Sequence, residues 1–217
     1  MMKKIVIVSG GKIEDSFAAK WLTEQNPDYV IAADSGMEYF RRAGSKPDMI
    51  LGDFDSVSEE TFTYFQKQEG IKWKRLNPIK DDTDTEFAIR YAIEAGAKQI
   101  VLLGATGSRL DHVLGNIELL GIGLETDVEI LLVDAHNRIR MIKSGIKLKK
   151  EEQFGTYVSL IPYSSEVKHL CLKGFKYPLE DAVLKGFCSL GVSNEITADV
   201  AEISFEEGIL LVIESKD

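Results

Sequence analysis

The sequence has 217 residues, 44% hydrophobic and 28% charged, with a net charge of −9. These values are typical of a globular protein and argue against nonspecific nucleic-acid binding, which needs a basic surface. No apolar run approaches the roughly 20 residues of a membrane-spanning helix, and the run at 5–8 is too short for a signal peptide. Cys171 and Cys188 are too few for a disulfide scaffold or zinc site. We therefore expect a cytoplasmic protein without nucleic-acid or membrane partners.

The first 133 residues alternate between short apolar runs and segments with helical spacing. The runs lie at 4–10, 29–34, 48–53, 71–76, 99–105 and 128–133. Near-continuous apolar strands separated by helices are typical of a parallel sheet that is covered by helices on both faces. We therefore predict an α/β class, with a mostly parallel three-layer α/β/α domain over residues 1–135.

The pattern changes after residue 135, where no helical periodicity remains. Partial alternation of apolar and polar residues marks 138–142, 156–163, 167–175 and 195–205. A turn at 206–208 then leads into a last apolar run at 209–214. Several strands at short spacing predict a smaller all-β sandwich domain over residues 136–217.

Four predicted strands end in glycine, aspartate or serine. The four exits read SGG at 9–11, ADSG at 33–36, GDFDS at 52–56 and GATGSRLDH at 104–112. In open parallel sheets, ligands bind beyond the carboxyl ends of the strands. Each exit alone also fits an ordinary turn, but four at one edge of the sheet predict a binding pocket.

Acidic residues crowd two of the segments near this edge. Asp53 and Asp55 lie two positions apart, so their side chains would share a side in extended chain. Thr83 and Glu86 have capping-box spacing, which explains part of the acidic segment DDTDTE. It leaves three carboxylates that repel one another unless a cation or solvent relieves them: Asp81, Asp82 and Asp84. Because Mg²⁺ prefers such oxygen ligands, the pattern indicates a magnesium site. The alternatives are a strand-end turn and a solvated helix start.

The loop GATGSR at 104–109 lies between a predicted strand and a helix. Its backbone N–H groups and the helix dipole suit a phosphate, and Arg109 would add a bidentate donor. It lacks the Gly-Lys-Ser/Thr ending of a Walker loop, and a plain turn with Arg109 in solvent is the alternative. In the following helix, Asp111 is a stronger functional candidate than His112, which alone is typical of a surface or packed histidine.

GDFDS, DDTDTE and GATGSRLDHVLGN occur in order, at separations that resemble those of thiamine pyrophosphokinases, and the resemblance covers the whole chain. It implies transfer of a diphosphoryl group from ATP to the hydroxyl of thiamine, which yields thiamine diphosphate and AMP. It also implies Mg²⁺ as the cofactor, a nucleotide-binding catalytic domain followed by a thiamine-binding β-sandwich, and a homodimer whose active sites lie between subunits.

The resemblance also implies roles for individual residues. The catalytic residues are Asp53, Asp55, Asp81, Asp84 and Asp111, and the first four of these also bind the metal. The residues implied to bind ATP are Gly10, Asp34, Gly104, Thr106, Gly107, Arg109 and His112. Asp84, Ser193 and Asn194 are implied to bind thiamine. Either Asp84 or Asp111 fits the role of general base.

Two positions depart from the family pattern. Ser35 and Ser108 stand where the family often has glycine, and a required positive φ would strain serine there. Two other functions also fit parts of the sequence. The stretch DFDSV matches the Asp-x-Asp signature of aspartyl-phosphate phosphohydrolases, although this reading leaves GATGSRLDH unexplained. A non-catalytic nucleotide sensor is the second alternative, since a fold does not prove catalysis. A diphosphokinase for another alcohol also fits.

Overall fold

The structure, a computed structural model, describes residues 3–77 and 82–217. The chain divides into two compact units, residues 1–135 and residues 136–217. None of the helices in the described ranges is long and apolar enough to cross a membrane.

The first unit contains a six-stranded parallel sheet. Its strands are β1 (Lys3–Val8), β2 (Tyr29–Ala33), β3 (Met49–Gly52), β4 (Lys72–Arg75), β5 (Ala97–Leu103) and β6 (Glu129–Val133). They lie in the order β4-β3-β2-β1-β5-β6, and every neighbouring pair is parallel. Residues 5–8 of the central strand β1 are at most 1% exposed, because both faces of the sheet are covered. The predicted α/β class is confirmed.

Among the residues that the structure describes, six α-helices and a short 3₁₀ helix, Asp34–Gly36, lie between these strands. The α-helices are α1 (Asp15–Gln25), α2 (Met37–Ala43), α3 (Glu59–Gln66), α4 (Asp84–Glu94), α5 (Leu110–Glu118) and α6 (Gly121–Thr126). The chain runs outward from β1 to β4 and then crosses back to β5 beside β1. This reversal creates a crevice between the carboxyl ends of β1 and β5, where doubly wound sheets bind ligands.

Local chemistry at the start of α4 partly follows the predicted capping box. Thr83 caps the helix, and its Oγ1 accepts a hydrogen bond from the N–H of Glu86 at 3.2 Å. The Glu86 carboxylate instead accepts hydrogen bonds from Arg90, at 2.7 and 3.1 Å. The cap fixes the helix start, so Asp84 begins α4 in a defined position.

The second unit consists of β-strands and one short 3₁₀ helix, Lys150–Glu152. Its strands are β7 (Asn137–Ile142), β8 (Ile146–Lys149), β9 (Tyr157–Pro162), β10 (Glu166–Lys173), β11 (Leu179–Lys185), β12 (Val200–Ser204) and β13 (Leu210–Ser215). One antiparallel sheet has the order β11-β10-β12-β8, and β13 pairs antiparallel with β7 and β9. A buried apolar core that includes Leu160, Leu172 and Val212 has contributions from both sets of strands, as the predicted sandwich requires.

The sequence patterns missed two strands of this unit, β8 and β11. Both are edge strands of the four-stranded sheet. Charged residues occupy exposed positions of both, such as Lys147 and Lys149 in β8 and Glu180 and Asp181 in β11. Charges on edge strands hinder edge-to-edge association. β8 is only four residues long, and the adjacent charges of β11 interrupt its alternation, so neither strand gives the pattern on which strand prediction depends.

Candidate active site

A cleft of about 980 Å³ lies at the carboxyl edge of the parallel sheet in the first unit. The four strand exits after β1, β2, β3 and β5 all contribute to its lining, together with the first turns of α4 and α5. The structure therefore brings together the segments that the sequence predicted to share one edge. Each exit reaches the cleft because parallel strands place all their carboxyl ends on the same side of the sheet.

Two glycine-bearing loops lie in direct backbone contact at the β1–β5 crevice. The N–H of Gly11 donates to the carbonyl of Gly104 at 2.7 Å, and the N–H of Lys12 donates to that of Thr106 at 2.6 Å. Gly104 has a φ of +64°, and a Cβ there would collide with the carbonyl oxygen of Ser9. The close approach therefore requires glycine at position 104 and fixes the two loops against each other.

The two serines that depart from the family pattern are not strained. Neither Ser35 nor Ser108 has a positive φ. In the segment ADSG the left-handed residue is Asp34, with a φ of +46°. The Ser35 hydroxyl packs over Gly10, where a Cβ would collide with it. Gly10 thus leaves the space that Ser35 occupies.

Three carboxylates meet beside this crevice. Asp34 follows β2, while Asp53 and Asp55 follow β3, and each offers an oxygen within 4.8 Å of the others. Gly52 makes this approach possible, because its φ is +153° and a Cβ there would lie only 3.0 Å from the Cα of Asp34. The N–H of Asp55 also donates to the Asp53 carboxylate at 3.2 Å. We call Asp34, Asp53 and Asp55 the carboxylate group.

Asp34 is the most constrained member of this carboxylate group. Burial raises its pKa, the hydrogen bond from the Ser35 N–H opposes this effect, and the charges of Asp84, Asp53 and Asp55 raise the pKa further. Its Oδ1 is buried and accepts no hydrogen bond from any described residue. A buried carboxylate oxygen among like charges suits a bound cation, which would supply the missing partner.

The start of α4 adds acidic side chains to the cleft. Asp82, Thr83 and Asp84 line it, and Asp84 is close enough to raise the pKa of Asp34. Thr85 and Ser9 are joined through their hydroxyls at 3.0 Å, which ties the first turn of α4 to the exit of β1. Asp81, which the sequence assigns to the metal, lies outside the described residues.

The start of α5 presents a cation that already has a partner. The Arg109 guanidinium donates to the Asp111 carboxylate at 2.6 and 3.3 Å, and both side chains are about two-thirds exposed. This hydrogen bond lowers the pKa of Asp111 to about 2. His112 also lines the cleft, and the side chain of Asn116 donates to the carbonyl of Ala105 at 2.8 Å. Asn116 therefore anchors α5 to the glycine-bearing loop.

Ser193 and Asn194 lie in the second unit. The Asn194 amide is buried, accepts hydrogen bonds from the N–H groups of Tyr177 and Glu195, at 3.0 and 2.9 Å, and donates to the carbonyl of Tyr177 at 2.8 Å. Its side chain thus shapes the backbone around it. Ser193 is exposed, with a φ of +60°, and its N–H donates to the hydroxyl of Ser159 at 3.0 Å.

Sequence reasoning assigned Asp34 to ATP and not to the metal. The structure places it with Asp53 and Asp55, whereas the predicted metal residue Asp84 lies in the cleft but outside this group of three. An aspartate at the end of β2, next to β3 in the sheet, was the available signal. Lys12, which also lines the cleft, was not singled out by its sequence context.

Two protein-family models together match most of the chain. A model of "Thiamin pyrophosphokinase, catalytic domain" matches residues 21–132, and one of "Thiamin pyrophosphokinase, vitamin B1 binding domain" matches residues 143–210. Thiamine pyrophosphokinase of Bacillus subtilis (strain 168) is 35% identical over 216 residues, and the match covers 100% of each chain.

Solved structures give the same result over nearly the full chain. The crystal structure of thiamine pyrophosphokinase from Bacillus subtilis has a TM-score of 0.88 at 35% identity, covering 99% of this chain and 100% of that one. The structure of the enzyme from Geobacillus thermodenitrificans has a TM-score of 0.85 at 33% identity, covering 99% and 98%. By sequence and by structure, the chain belongs to the thiamine pyrophosphokinase family.

Proposed function

We propose that this protein transfers the diphosphoryl group of ATP to the primary hydroxyl of thiamine, with thiamine diphosphate and AMP as products. The observation that carries this proposal is the cleft of the first unit, in which a carboxylate group and a pair of glycine-bearing loops meet at the switch point of the sheet. Family membership supports the same reaction. A phosphohydrolase would leave the 104–112 segment without a role, so we do not favour it.

We propose that Asp34, Asp53 and Asp55 hold Mg²⁺ together with Asp84. Asp81, which lies outside the described residues, completes the proposed metal set. The donor set fits a hard cation, because it consists of carboxylate oxygens and includes the buried Oδ1 of Asp34 that has no described partner. When bound, the ion neutralises charge on the phosphate oxygens. This proposal extends the predicted metal set by Asp34.

We assign the phosphates of ATP to the N–H groups of the 104–109 loop and to Arg109. His112 and the exits at Gly10 and Asp34 border the same space and complete the proposed ATP site. In the reaction, the thiamine oxygen forms a bond to the β-phosphorus. The bond from that phosphorus to the bridging oxygen of the α-phosphate breaks, and AMP leaves with the electron pair. The guanidinium stabilises charge that develops on the transferred group.

The hydroxyl proton needs an acceptor, and we propose the carboxylate oxygen of Asp84 that does not contact the ion. The alternative, Asp111, is bonded to Arg109, which lowers its pKa to about 2 and makes it a weak base near neutral pH. Asp84 lies in the first turn of α4 and lines the cleft beside the carboxylate group. Asp111 then serves mainly to orient the guanidinium of Arg109.

We propose that the second unit binds thiamine through Ser193 and its neighbours, with Asn194 holding the loop in shape. We further propose a homodimer with active sites between subunits. Exposed apolar side chains support this, since Leu110 and Leu114 of α5 are 71% and 62% exposed and Phe187 is fully exposed. Burying such apolar side chains against a second subunit would stabilise a dimer. We place the enzyme in the cytoplasm, where its substrate ATP is made available.

The test is one incubation with Mg-ATP and thiamine, with the products separated and weighed by mass spectrometry. AMP and thiamine diphosphate in equal amounts are the expected products. ADP with thiamine monophosphate would move the attack to the γ-phosphorus and contradict the proposed geometry of transfer. Release of inorganic phosphate without a thiamine product would favour the phosphohydrolase instead. ATP binding without any turnover would favour the sensor.

A further inference from the structure

The cleft has far more negative than positive charge. Its described lining contains eight carboxylates: Asp34, Asp53, Asp55, Asp82, Asp84, Glu86, Asp111 and Glu118. The lysines and arginines in that lining are Lys12 and Arg109. A nucleotide triphosphate is itself strongly anionic, so its phosphates need cations beyond a metal ion that the carboxylates already surround.

The two cations differ in their availability. Arg109 is bonded to Asp111 at 2.6 Å, so part of its hydrogen-bonding capacity is in use. Lys12 has an exposed side chain, and no ion pair or side-chain hydrogen bond joins it to any residue in 3–77 or 82–217. It is therefore the cation of this described lining whose charge is not neutralised by a protein carboxylate.

The backbone of Lys12 is fixed although its side chain is not. Its N–H donates to the carbonyl of Thr106 at 2.6 Å, and the preceding Gly11 donates to Gly104 at 2.7 Å. A Cβ on Gly107 would lie 3.2 Å from the backbone nitrogen of Lys12, so the two loops are also close at this point. The root of the side chain is thus held against the loop assigned to phosphate, with an ammonium group on a flexible four-carbon stem.

We propose that Lys12 is a further phosphate-binding residue, whose ammonium contacts the polyphosphate chain of ATP beside the 104–109 loop. A lysine acts as a point charge and adapts to the phosphates, whereas Arg109 offers a planar fork. The contact requires the charge of residue 12 and not its backbone, which the loop holds in either case. This inference rests on the proposed function, because it assumes that ATP occupies this cleft.

The test compares Lys12→Met and Lys12→Arg with Lys98→Met as a matched control. Lys98 is an exposed lysine at the amino end of the inner strand β5, whereas the cleft lies at the carboxyl ends of the strands. Equilibrium binding of Mg-ATP is measured by calorimetry for each variant, and inorganic tripolyphosphate and AMP are measured as separate probes. The melting temperature of each variant shows whether it is folded.

We expect Lys12→Met to raise the Kd for ATP and tripolyphosphate by roughly tenfold, the effect of losing one charge-assisted contact. Lys12→Arg should restore most of this affinity, and AMP binding should change little because AMP lacks the outer phosphates. The affinity difference should also shrink at high salt. An unchanged Kd for both polyphosphates in a folded Lys12→Met protein would overturn the proposal.

The binding readout separates this inference from the proposed reaction. If the wild-type protein binds ATP through Lys12 but forms no thiamine diphosphate, the proposed function fails and the Lys12 contact stands. If thiamine diphosphate forms and Lys12→Met binds and turns over ATP as the wild type does, the function stands and the Lys12 contact is wrong. If the wild type binds neither ATP nor tripolyphosphate, both are wrong.

Discussion

The carboxylates of Asp34, Asp53 and Asp55 lie within 4.8 Å of one another, on backbone that bends through left-handed residues. The cations of the same cleft are arranged differently. Arg109 has a side chain that is 69% exposed and bonded to its neighbour Asp111, and Lys12 is held through its backbone N–H. We call these two regions the carboxylate side and the cation side.

The difference indicates which part of the site is formed before ligands arrive. Holding like charges together costs free energy, and the fold meets that cost with close backbone packing around Gly52 and Asp34. The cation side fixes its loops through backbone hydrogen bonds, and its two cationic side chains are exposed. We therefore expect the carboxylate side to select a small hard ion, and the cation side to adjust its side chains to a larger and variable polyphosphate.

Removing one charge from the carboxylate side should have the largest effect on activity. Asp55→Asn keeps the shape of the side chain and removes its charge, so turnover with Mg-ATP and thiamine should fall roughly hundredfold while the melting temperature changes little. Steady-state kinetics and thermal unfolding check this. Glu24→Gln, on the exposed surface of α1, is the control. Wild-type turnover in Asp55→Asn would show that this carboxylate is not part of the site.

The next prediction concerns the backbone of the cation side. Gly104 and Gly44 have nearly the same φ, +64° and +61°, but a Cβ at Gly104 would strike the Ser9 carbonyl while a Cβ at Gly44 meets nothing within 4 Å. Gly44→Ala should cost only the left-handed strain, about 1 kcal/mol in unfolding free energy. Gly104→Ala should cost more and should also weaken ATP binding.

Denaturant unfolding and calorimetric ATP titration of the two alanine variants separate strain from steric collision. If both variants lose the same stability and bind ATP equally, the two loops are not held as closely as the structure shows. In that case the backbone of the cation side would not be fixed before ATP binds.

Asp34 gives a smaller effect that depends on pH and metal. Since its folded pKa is raised, the ionised carboxylate destabilises the metal-free fold, and this penalty grows as the pH rises from 3.8 through the raised pKa. Asp34→Asn should therefore melt a few degrees higher than the wild type at neutral pH without metal. Added Mg²⁺ should raise the melting temperature of the wild type more than that of Asp34→Asn.

Thermal scans at several pH values, with a chelator or with Mg²⁺, measure both effects. The predicted difference between the two proteins should vanish well below pH 3.8, where the aspartate is protonated in the folded and the unfolded chain. A wild type that is more stable than Asp34→Asn in chelator at neutral pH would contradict a raised pKa. Equal Mg²⁺ shifts would remove Asp34 from the proposed metal site.

Much of this arrangement could be predicted from residue types. The exits that carry Gly10, Asp53 and Gly104 had to share one edge, because parallel strands joined by helices leave no other arrangement. The exposed strand β4 was predicted although it reads Lys-Trp-Lys-Arg, and the other strands of the first unit were predicted because they contain nearly uninterrupted apolar runs. The charged edge strands β8 and β11 lack such a pattern and were missed.

The close approach of the three carboxylates could not be predicted from residue types. Asp34 joins Asp53 and Asp55 only because Gly52, Asp34 and Phe54 have φ values of +153°, +46° and +69°. Of these three residues, glycine signals an unusual backbone strongly through its type, aspartate signals it weakly, and phenylalanine does not signal it. The Arg109–Asp111 pair was likewise hidden, because the spacing of two opposite charges in sequence does not decide whether their side chains bond to each other.

Removing the charge of Asp111 from the Arg109–Asp111 pair should have the smallest effect on turnover. This variant also tests whether Asp111, on the cation side, is the general base. Exposed ion pairs contribute little to stability, so Asp111→Asn should leave the melting temperature nearly unchanged. If Asp84 is the base, turnover should fall by less than roughly tenfold in Asp111→Asn and by far more in Asp84→Asn. Steady-state kinetics of both variants decide between them. A reversed ranking would make Asp111 the base. The bound ligand would then have to draw Arg109 away from Asp111, so that the pKa of Asp111 rises. In that case the cation side would supply the proton acceptor as well as the phosphate contacts.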